Sequence, residues 1–536
     1  MKKPVKYLWL ALGGVAALLV AGSVVFALSF DPNRYKDEIE RMALERTGRT
    51  LRLQGELKLV FFPSLGAGIG GVTLSERGSR REFVSLQSAR ASVKLLPLLR
   101  AQVIVDAVRV SGLKAQIVRN KDGTYNFSDL LEGKAAKPAA KPAPRKKDQS
   151  TSVIFDIAGV DVERAALAYR DTNTGQEISL SDLTLRSGRI AGNAQGKIEF
   201  ADLDFTARLD ESNIRGKLAV TRTAQPSYRF DLDIDRLNLD RYLAATEKKP
   251  EAAKHDPAAK DAAVDLSGLK GLNAQGQLQV GALQVQGLRL SGLKAQLKAA
   301  GGRAEISPHS ASLYGGELSG ALSLDGNANR IALKETLSNV SIGPLLRDAA
   351  HQDRLEGKGN VALDVAAAGA TVSTMKRSLS GAAQVRLRDG AIKGVNIAEL
   401  LRKARAAAGK QSGQAADSKE RTDFSELSAS FSIKSGVAHN EDLDVKSPLL
   451  RIGGSGDIDI GRSTINYVVK ASVVGTAKGQ GGRERDELAG LTVPVKLTGP
   501  LDAMKYEVDY RAVAGGLAKS KVGDKVRDRL KGLLGR

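Results

Sequence analysis

The sequence predicts a mainly β chain: a single N-terminal transmembrane helix, a short amphipathic capping helix, a long antiparallel β-sheet and short C-terminal helices. Three observations predict it. A charge-free run lies near the amino terminus, apolar and polar residues alternate with a period of two from Thr50 onward, and turn residues recur between the alternating runs. The chain has 56 glycines in 536 residues, which suits many tight turns, and only 4 % aromatics, so its apolar side chains are mainly aliphatic.

Tyr7 to Phe30 is a run of 24 residues without a charge. At 1.5 Å per residue it reaches roughly 36 Å, enough to cross a hydrocarbon core. Lys2, Lys3 and Lys6 precede it, so the positive-inside tendency puts the amino terminus in the cytoplasm and the bulk of the chain outside. A cleaved signal peptide is the rival, with Val25-Phe26-Ala27 as its cleavage site. Asp31 is then a good N-cap and Pro32 a good first helical residue. Tyr35, Ile39 and Met42 follow at helical spacing and are expected to pack this capping helix, which Gly48 can end.

Leu51, Leu53, Leu57, Leu59 and Phe61 start the alternation, and Val103, Val105, Val108, Val110, Leu113 and Ile117 continue it. Farther on, Leu278 and Val280, Leu283 and Val285, Leu288 and Leu290, and Leu293 and Leu297 form successive apolar pairs separated by polar or small residues. Val108–Ile117 and Leu288–Leu297 match almost residue for residue around a shared Ser-Gly-Leu-Lys-Ala-Gln, with shorter echoes at Leu318–Ala321 and Leu379–Ala382. These read as a reused strand–turn–strand unit, or as convergence of alternating strands. Val522, Val526, Leu530 and Leu533 form a final helical stripe. Lys519, Lys521, Lys525, Arg527, Arg529 and Lys531 surround it, which suits either an anionic membrane surface or a packed terminal helix.

The organisation is therefore a cytoplasmic tip (1–6), a transmembrane helix (7–30), a helix plus β-meander (31–132) and a Lys/Ala/Pro linker (133–152). A middle β section (153–247), a second linker (248–263), a β-repeat section (264–345), a C-terminal β section (346–510) and the basic amphipathic helix (511–536) follow. Both linkers lack the apolar content to fold.

The absence of cysteine removes thiolate nucleophiles, disulfides and Cys-ligated metals. The net charge of +21 is spread along the chain rather than focused on a nucleic-acid module, so no nucleic acid is expected. His255, His309, His351 and His439 are isolated in sequence, and no catalytic or metal motif appears, so neither an enzyme nor a cofactor is expected. Gly66, Gly68 and Gly71 fit G-x-G-x-x-G, but a strand follows them where a phosphate-cradling helix is needed. Asp231, Asp233 and Asp235 read as a solvated strand face, because Arg236 stands where a calcium loop needs glycine.

Several segments in order resemble the AsmA family. They include Phe62-Pro63-Ser64-Leu65-Gly66, Leu95–Leu99 with Val103–Val105, and Asp122-Gly123-Thr124-Tyr125-Asn126-Phe127-Ser128-Asp129-Leu130, where Phe127 replaces the usual Trp. Leu387–Ile397, Thr422–Leu427, Gly454–Ile460 and Pro494–Leu501 resemble its C-terminal signature. The resemblance implies an inner-membrane-anchored periplasmic protein with a curved, groove-like sheet that carries phospholipid or other acyl-chain lipid towards the outer membrane. Outer-membrane or periplasmic proteins are the further partners it suggests. Leu278, Val280, Leu283, Val285, Leu288, Leu290, Leu293 and Leu297 would then line the groove. Alternation alone leaves two covers for the apolar face, lipid or a second sheet. The second gives a closed core, for which the resemblance implies a scaffold that influences outer-membrane protein assembly and lipopolysaccharide levels.

Overall fold

The computed structural model describes residues 31–60, 64–94, 104–131, 156–192, 198–222, 226–243, 261–394, 414–415, 421–448, 450–474 and 492–509. The run Tyr7–Phe30, the linker 133–152, most of the linker 248–263, residues 397–406, where the sequence predicts a short helix, and the basic tail 511–536 lie outside them. With that tail go Lys519, Lys521, Lys525, Arg527, Arg529 and Lys531. No helix among the described residues is long and apolar enough to cross a membrane. The chain divides into two compact units, Met1–Leu237 with Arg241–Lys249, and Asn238–Asp240 with Pro250–Arg536.

The first unit opens with a 3-10 turn, Pro32–Tyr35, that runs into the helix Lys36–Thr47. Asp31 caps the turn by accepting from Asn33 N at 2.9 Å, and Gly48 ends the helix in the left-handed conformation that glycine tolerates best. Its packing differs from the sequence expectation. Tyr35, Ile39 and Met42, expected to pack the helix, are 54 %, 39 % and 42 % exposed. The half-buried positions are Lys36, Glu40, Ala43 and Thr47, and polar contacts fasten the segment to the sheet. Glu40 Oε1 accepts from Leu53 N at 2.6 Å, and the Asn33 side chain bonds both the N–H and the carbonyl of Leu57.

Strand then follows strand, with one departure from the expected antiparallel order. Ile104–Ser111 and Lys114–Arg119 pair in parallel with Val160–Asp171. A parallel pair needs a long crossover, and 36 residues separate Arg119 from Asp156 in the sequence. The sheet is therefore mixed. The repeated Ser-Gly-Leu-Lys segment is also not a reversing turn. Ser111 and Lys114 both pair with the strand Glu82–Lys94 in one register, so the chain keeps its direction through Gly112. Gly112 and Gly292 take φ of +64° and +62°, so both copies carry the same glycine kink, between two strands in one register in the first and within Leu288–Ala300 in the second.

One buried cluster ties the ends of the first meander together. Arg49 is 0 % exposed and forks onto Asp129, with Nε to Oδ2 at 3.1 Å and Nη2 to Oδ1 at 2.5 Å. It also donates to the carbonyls of Ser75 and Asn126, and stands 4.9 Å over the Phe83 ring. Phe127 stacks on both Phe83 and Tyr125, while the Asn126 side chain bonds Val118 N and the Gln116 carbonyl. The Asp-Gly-Thr-Tyr-Asn-Phe-Ser-Asp-Leu segment is thus the lid on a buried cation.

In the second unit the strands from Ala274–Val285 to Lys505–Val508 form an antiparallel meander in which each long strand pairs with the next. The helix Ile342–Ala350 crosses the section boundary read at 345/346, and the pairing of Arg330–Ser341 with Leu355–Ala368 continues past it. Ile342 is 4 % exposed, and Leu345 and Leu346 pack with it on a cluster that includes Val340, Leu387, Phe424, Val445, Ile452, Ala471 and Val493.

Breaking the buried Arg49–Asp129 pair leaves one charge unpaired, so Arg49→Leu is expected to lower unfolding stability by about 3–5 kcal/mol in urea titrations. The hydrogen bond from Arg49 holds the Asp129 carboxyl below its ordinary range. Its contribution is therefore present above the unfolded carboxylate pKa and is lost as pH falls through the lower folded one. Asp129→Asn should flatten that acid limb of the stability–pH curve.

Candidate functional site

Strand register sorts the side chains into rows that cross the sheet, because directly paired residues share a face. In the first unit one row runs Leu57, Ile69, Ala89, Val110, Val162, Leu185, Phe205, Gly216, Leu232. Its side chains are half-buried rather than sealed. The neighbouring row on the opposite face runs Lys58, Gly68, Arg90, Arg109, Asp161, Arg186, Asp204, Lys217, Asp231. From Arg109 onward these charges alternate in sign, which favours this register over a slipped one. Asp231 and Asp233 stand opposite Lys217 and Arg215, so the acidic triplet is a solvated strand face. Gly68 and Gly70 floor a cleft of about 540 Å³ whose rim mixes Lys58, Arg90 and Arg109 with Glu56, Asp161 and Glu163.

The second unit repeats the scheme. One row runs Leu297, Ile306, Leu322, Leu333, Val365, and another runs Leu318, Leu337, Val361, Val385. Most of these side chains are half-buried, while the cluster around Val445 and Ala471 is sealed. The apolar face is thus closed near the helix Ile342–Ala350 and half-open across the strands before it.

The eight residues singled out from the sequence sit on two neighbouring strands, Ala274–Val285 and Leu288–Ala300. Leu278, Leu283, Val285, Leu288, Leu290, Leu293 and Leu297 are half-buried. Val280 is 1 % exposed, so it is core and offers no accessible lining. The burial pattern also shifts phase at Gly281–Ala282 and Ser291–Gly292, where the second glycine kink falls. Sequence reading followed the apolar face along one hairpin. Register shows it running across the strands, one residue from each.

Two histidines gain partners that sequence separation concealed. His439 is held between Asp457 and Glu441 at 2.7 and 3.0 Å in an exposed triplet, and those carboxylates raise its pKa. His309 lies on the apolar face, with Nε2 2.8 Å from Glu335 Oε1. Both side chains of this second pair are about nine-tenths buried. His309 Nδ1 is 3.1 Å from the Ile306 carbonyl oxygen, a contact made by the register irregularity at Ser307–Pro308. That oxygen only accepts, so the hydrogen-bond network assigns a proton to Nδ1. Burial pushes the Glu335 carboxyl up, and His309 works against it. A Cβ at Gly320 would collide with the Lys334 carbonyl oxygen and with the Glu335 carboxylate, so both backbone and side chain of the neighbouring strand require glycine there. The one signal in the sequence was Glu335 itself, a carboxylate at an inward position between Leu333 and Leu337. Among the described residues no cluster of His, Asp or Glu could hold a metal ion.

Each unit is thus a β-meander with a half-open aliphatic face, and the fold class is mainly β. The model of the AsmA family matches residues 1–219 and 201–443, and the chain belongs to that family. It is similar to Protein AsmA of Escherichia coli (strain K12), 22 % identical over 572 aligned positions that span 92 % of this chain and 91 % of that protein. Membership implies a role in envelope biogenesis.

Removing one member of the His309–Glu335 pair leaves the other buried without a partner. His309→Leu alone is expected to cost about 3–5 kcal/mol of stability, and His309→Leu with Glu335→Leu to recover most of it. Urea unfolding of the three proteins followed by circular dichroism checks this.

Proposed function

We propose that the chain binds phospholipid acyl chains along its half-open apolar face and passes them towards the outer membrane, without catalysing a reaction. The single observation that carries the reading is the cross-strand row Leu297, Ile306, Leu322, Leu333, Val365, whose aliphatic side chains stay half-buried where a closed core would seal them. An acyl chain laid along such a row gains about 0.8 kcal/mol for each CH₂ removed from water. Along each such row the surface is aliphatic, so it offers a sliding chain many similar positions. The polar face, with charges alternating across much of it, keeps its back in water.

Tyr7–Phe30 would anchor the chain in the inner membrane, with the two units on the periplasmic side. The basic tail 511–536 would rest on an anionic membrane surface. A closed-core factor that acts through protein contacts is the second reading. The sealed cluster around Val445, Ile452, Ala471 and Val493 favours it for the last strands.

The test is lipid mass spectrometry on residues 31–536 purified gently from a Gram-negative host. Near-stoichiometric phospholipid is expected in the parent protein. It should be lost in the Leu322→Asp/Leu333→Asp variant, whose two positions pair across neighbouring strands, with β content by circular dichroism unchanged. A folded parent protein free of lipid, or a variant that keeps its lipid, transfers the case to the closed-core reading.

A further inference from the structure

We propose that Glu335 and His309 form a polar anchoring point set into the apolar face of the second unit, and that it receives the hydrogen-bond-donating end of a bound lipid. This rests on the lipid-binding reading above and narrows it to a ligand chemistry. The pair lies in the row Ala295, His309, Gly320, Glu335, Leu363, between the aliphatic rows containing Leu322 and Leu333 on one side and Leu318 and Leu337 on the other.

A carboxylate among leucines is costly unless all its lone pairs are used. Glu335 Oε1 is used, by His309 Nε2. Glu335 Oε2 is buried and has no hydrogen-bond partner among the described residues. Its chemistry follows from the protons. Nδ1 of His309 carries one, directed at the Ile306 carbonyl oxygen. Nε2 and Oε1 share a second, because a bare nitrogen lone pair facing a bare carboxylate at that separation would repel. Whether this second proton rests on nitrogen or on Oε1, Oε2 is an acceptor: a carboxylate oxygen in one case, a carbonyl oxygen in the other. The group that satisfies it must therefore donate. A hydroxyl, an ammonium or an amide N–H qualifies, whereas a quaternary ammonium, an ester or a phosphodiester offers no donor. The flanking leucines would hold the lipid's chains.

A site with a buried acceptor selects by the penalty it imposes on ligands that leave it unpaired. One such hydrogen bond corresponds to a preference of about tenfold. The probe is the full chain with Leu363 replaced by p-benzoylphenylalanine, since Leu363 is the same-face partner of Glu335 on the next strand. It is reconstituted in vesicles of equal phosphatidylethanolamine, phosphatidylglycerol and phosphatidylcholine with matched acyl chains. After irradiation the lipid adducts on the peptide are weighed by mass spectrometry.

Enrichment of phosphatidylethanolamine over phosphatidylcholine by about tenfold indicates an ammonium donor, and the same enrichment of phosphatidylglycerol indicates a hydroxyl. In either case His309→Leu with Glu335→Leu, which removes both partners together, should return the adducts to the vesicle composition without reducing their total. Adducts that already follow the vesicle composition in the parent overturn the anchoring point and leave the lipid-binding face standing. So does an enrichment that survives in the double variant. No lipid adduct at all overturns both. The parent's own ratio decides the matter where the double variant does not fold.

Discussion

The structure depends on one constraint: an alternating sheet has a face that water must leave, and in each unit much of that face stays half-open. The register makes the face continuous. Residues that pair across strands share a side, so one aliphatic position per strand becomes a row many strands wide. The same register places Arg109 opposite Asp161, Asp204 opposite Lys217 and Lys217 opposite Asp231 on the other side. A slip of one residue would carry charges into the apolar row and leucines into water. The hydrophobic and charge patterns thus specify the same pairing, and each guards against the failure of the other.

Arg49 and Glu335 are both buried charged groups, and the structure handles them differently. Arg49 is surrounded by acceptors: both oxygens of Asp129, two carbonyls and the face of Phe83. All three guanidinium nitrogens donate, and the cluster works as a clasp between the end of the first helix and the end of the first meander. Glu335 has one oxygen engaged and one unpartnered among the described residues, on a face that is only half-closed. A satisfied buried charge stabilises a fold, whereas an incompletely satisfied one beside an open apolar surface has capacity left for something else.

The helices divide the labour in a similar way. Ile342–Ala350 buries Ile342 and packs Leu345 and Leu346 on the sheet, closing the apolar face at that end. Lys36–Thr47 does the reverse, holding the sheet by polar contacts while Ile39 and Met42 remain exposed. Spacing alone gives Lys36–Thr47 an amphipathic reading, whereas the apolar stripe that packs on the sheet is that of Ile342–Ala350.

The sequence by itself determined the mainly β fold, because a period of two is a local property that any alternating strand displays. It determined the helix at Lys36–Thr47 through Asp31, Pro32 and Gly48, and the solvated nature of the Asp231 strand. The ordered motifs also carried the family. It could not determine that Ile104–Ser111 and Lys114–Arg119 pair in parallel with Val160–Asp171, since strand partners are chosen by long-range packing and not by the strands' own alternation. Nor could it show that Val280 is sealed while Leu278 is accessible, because burial is decided by what lies over a side chain. The pairing of His309 with Glu335, two strands and 26 residues away, has no local signature beyond one carboxylate in an apolar position. Only the stacking of strands brings that acid and that base together, because cross-strand register converts distance in sequence into adjacency on a face.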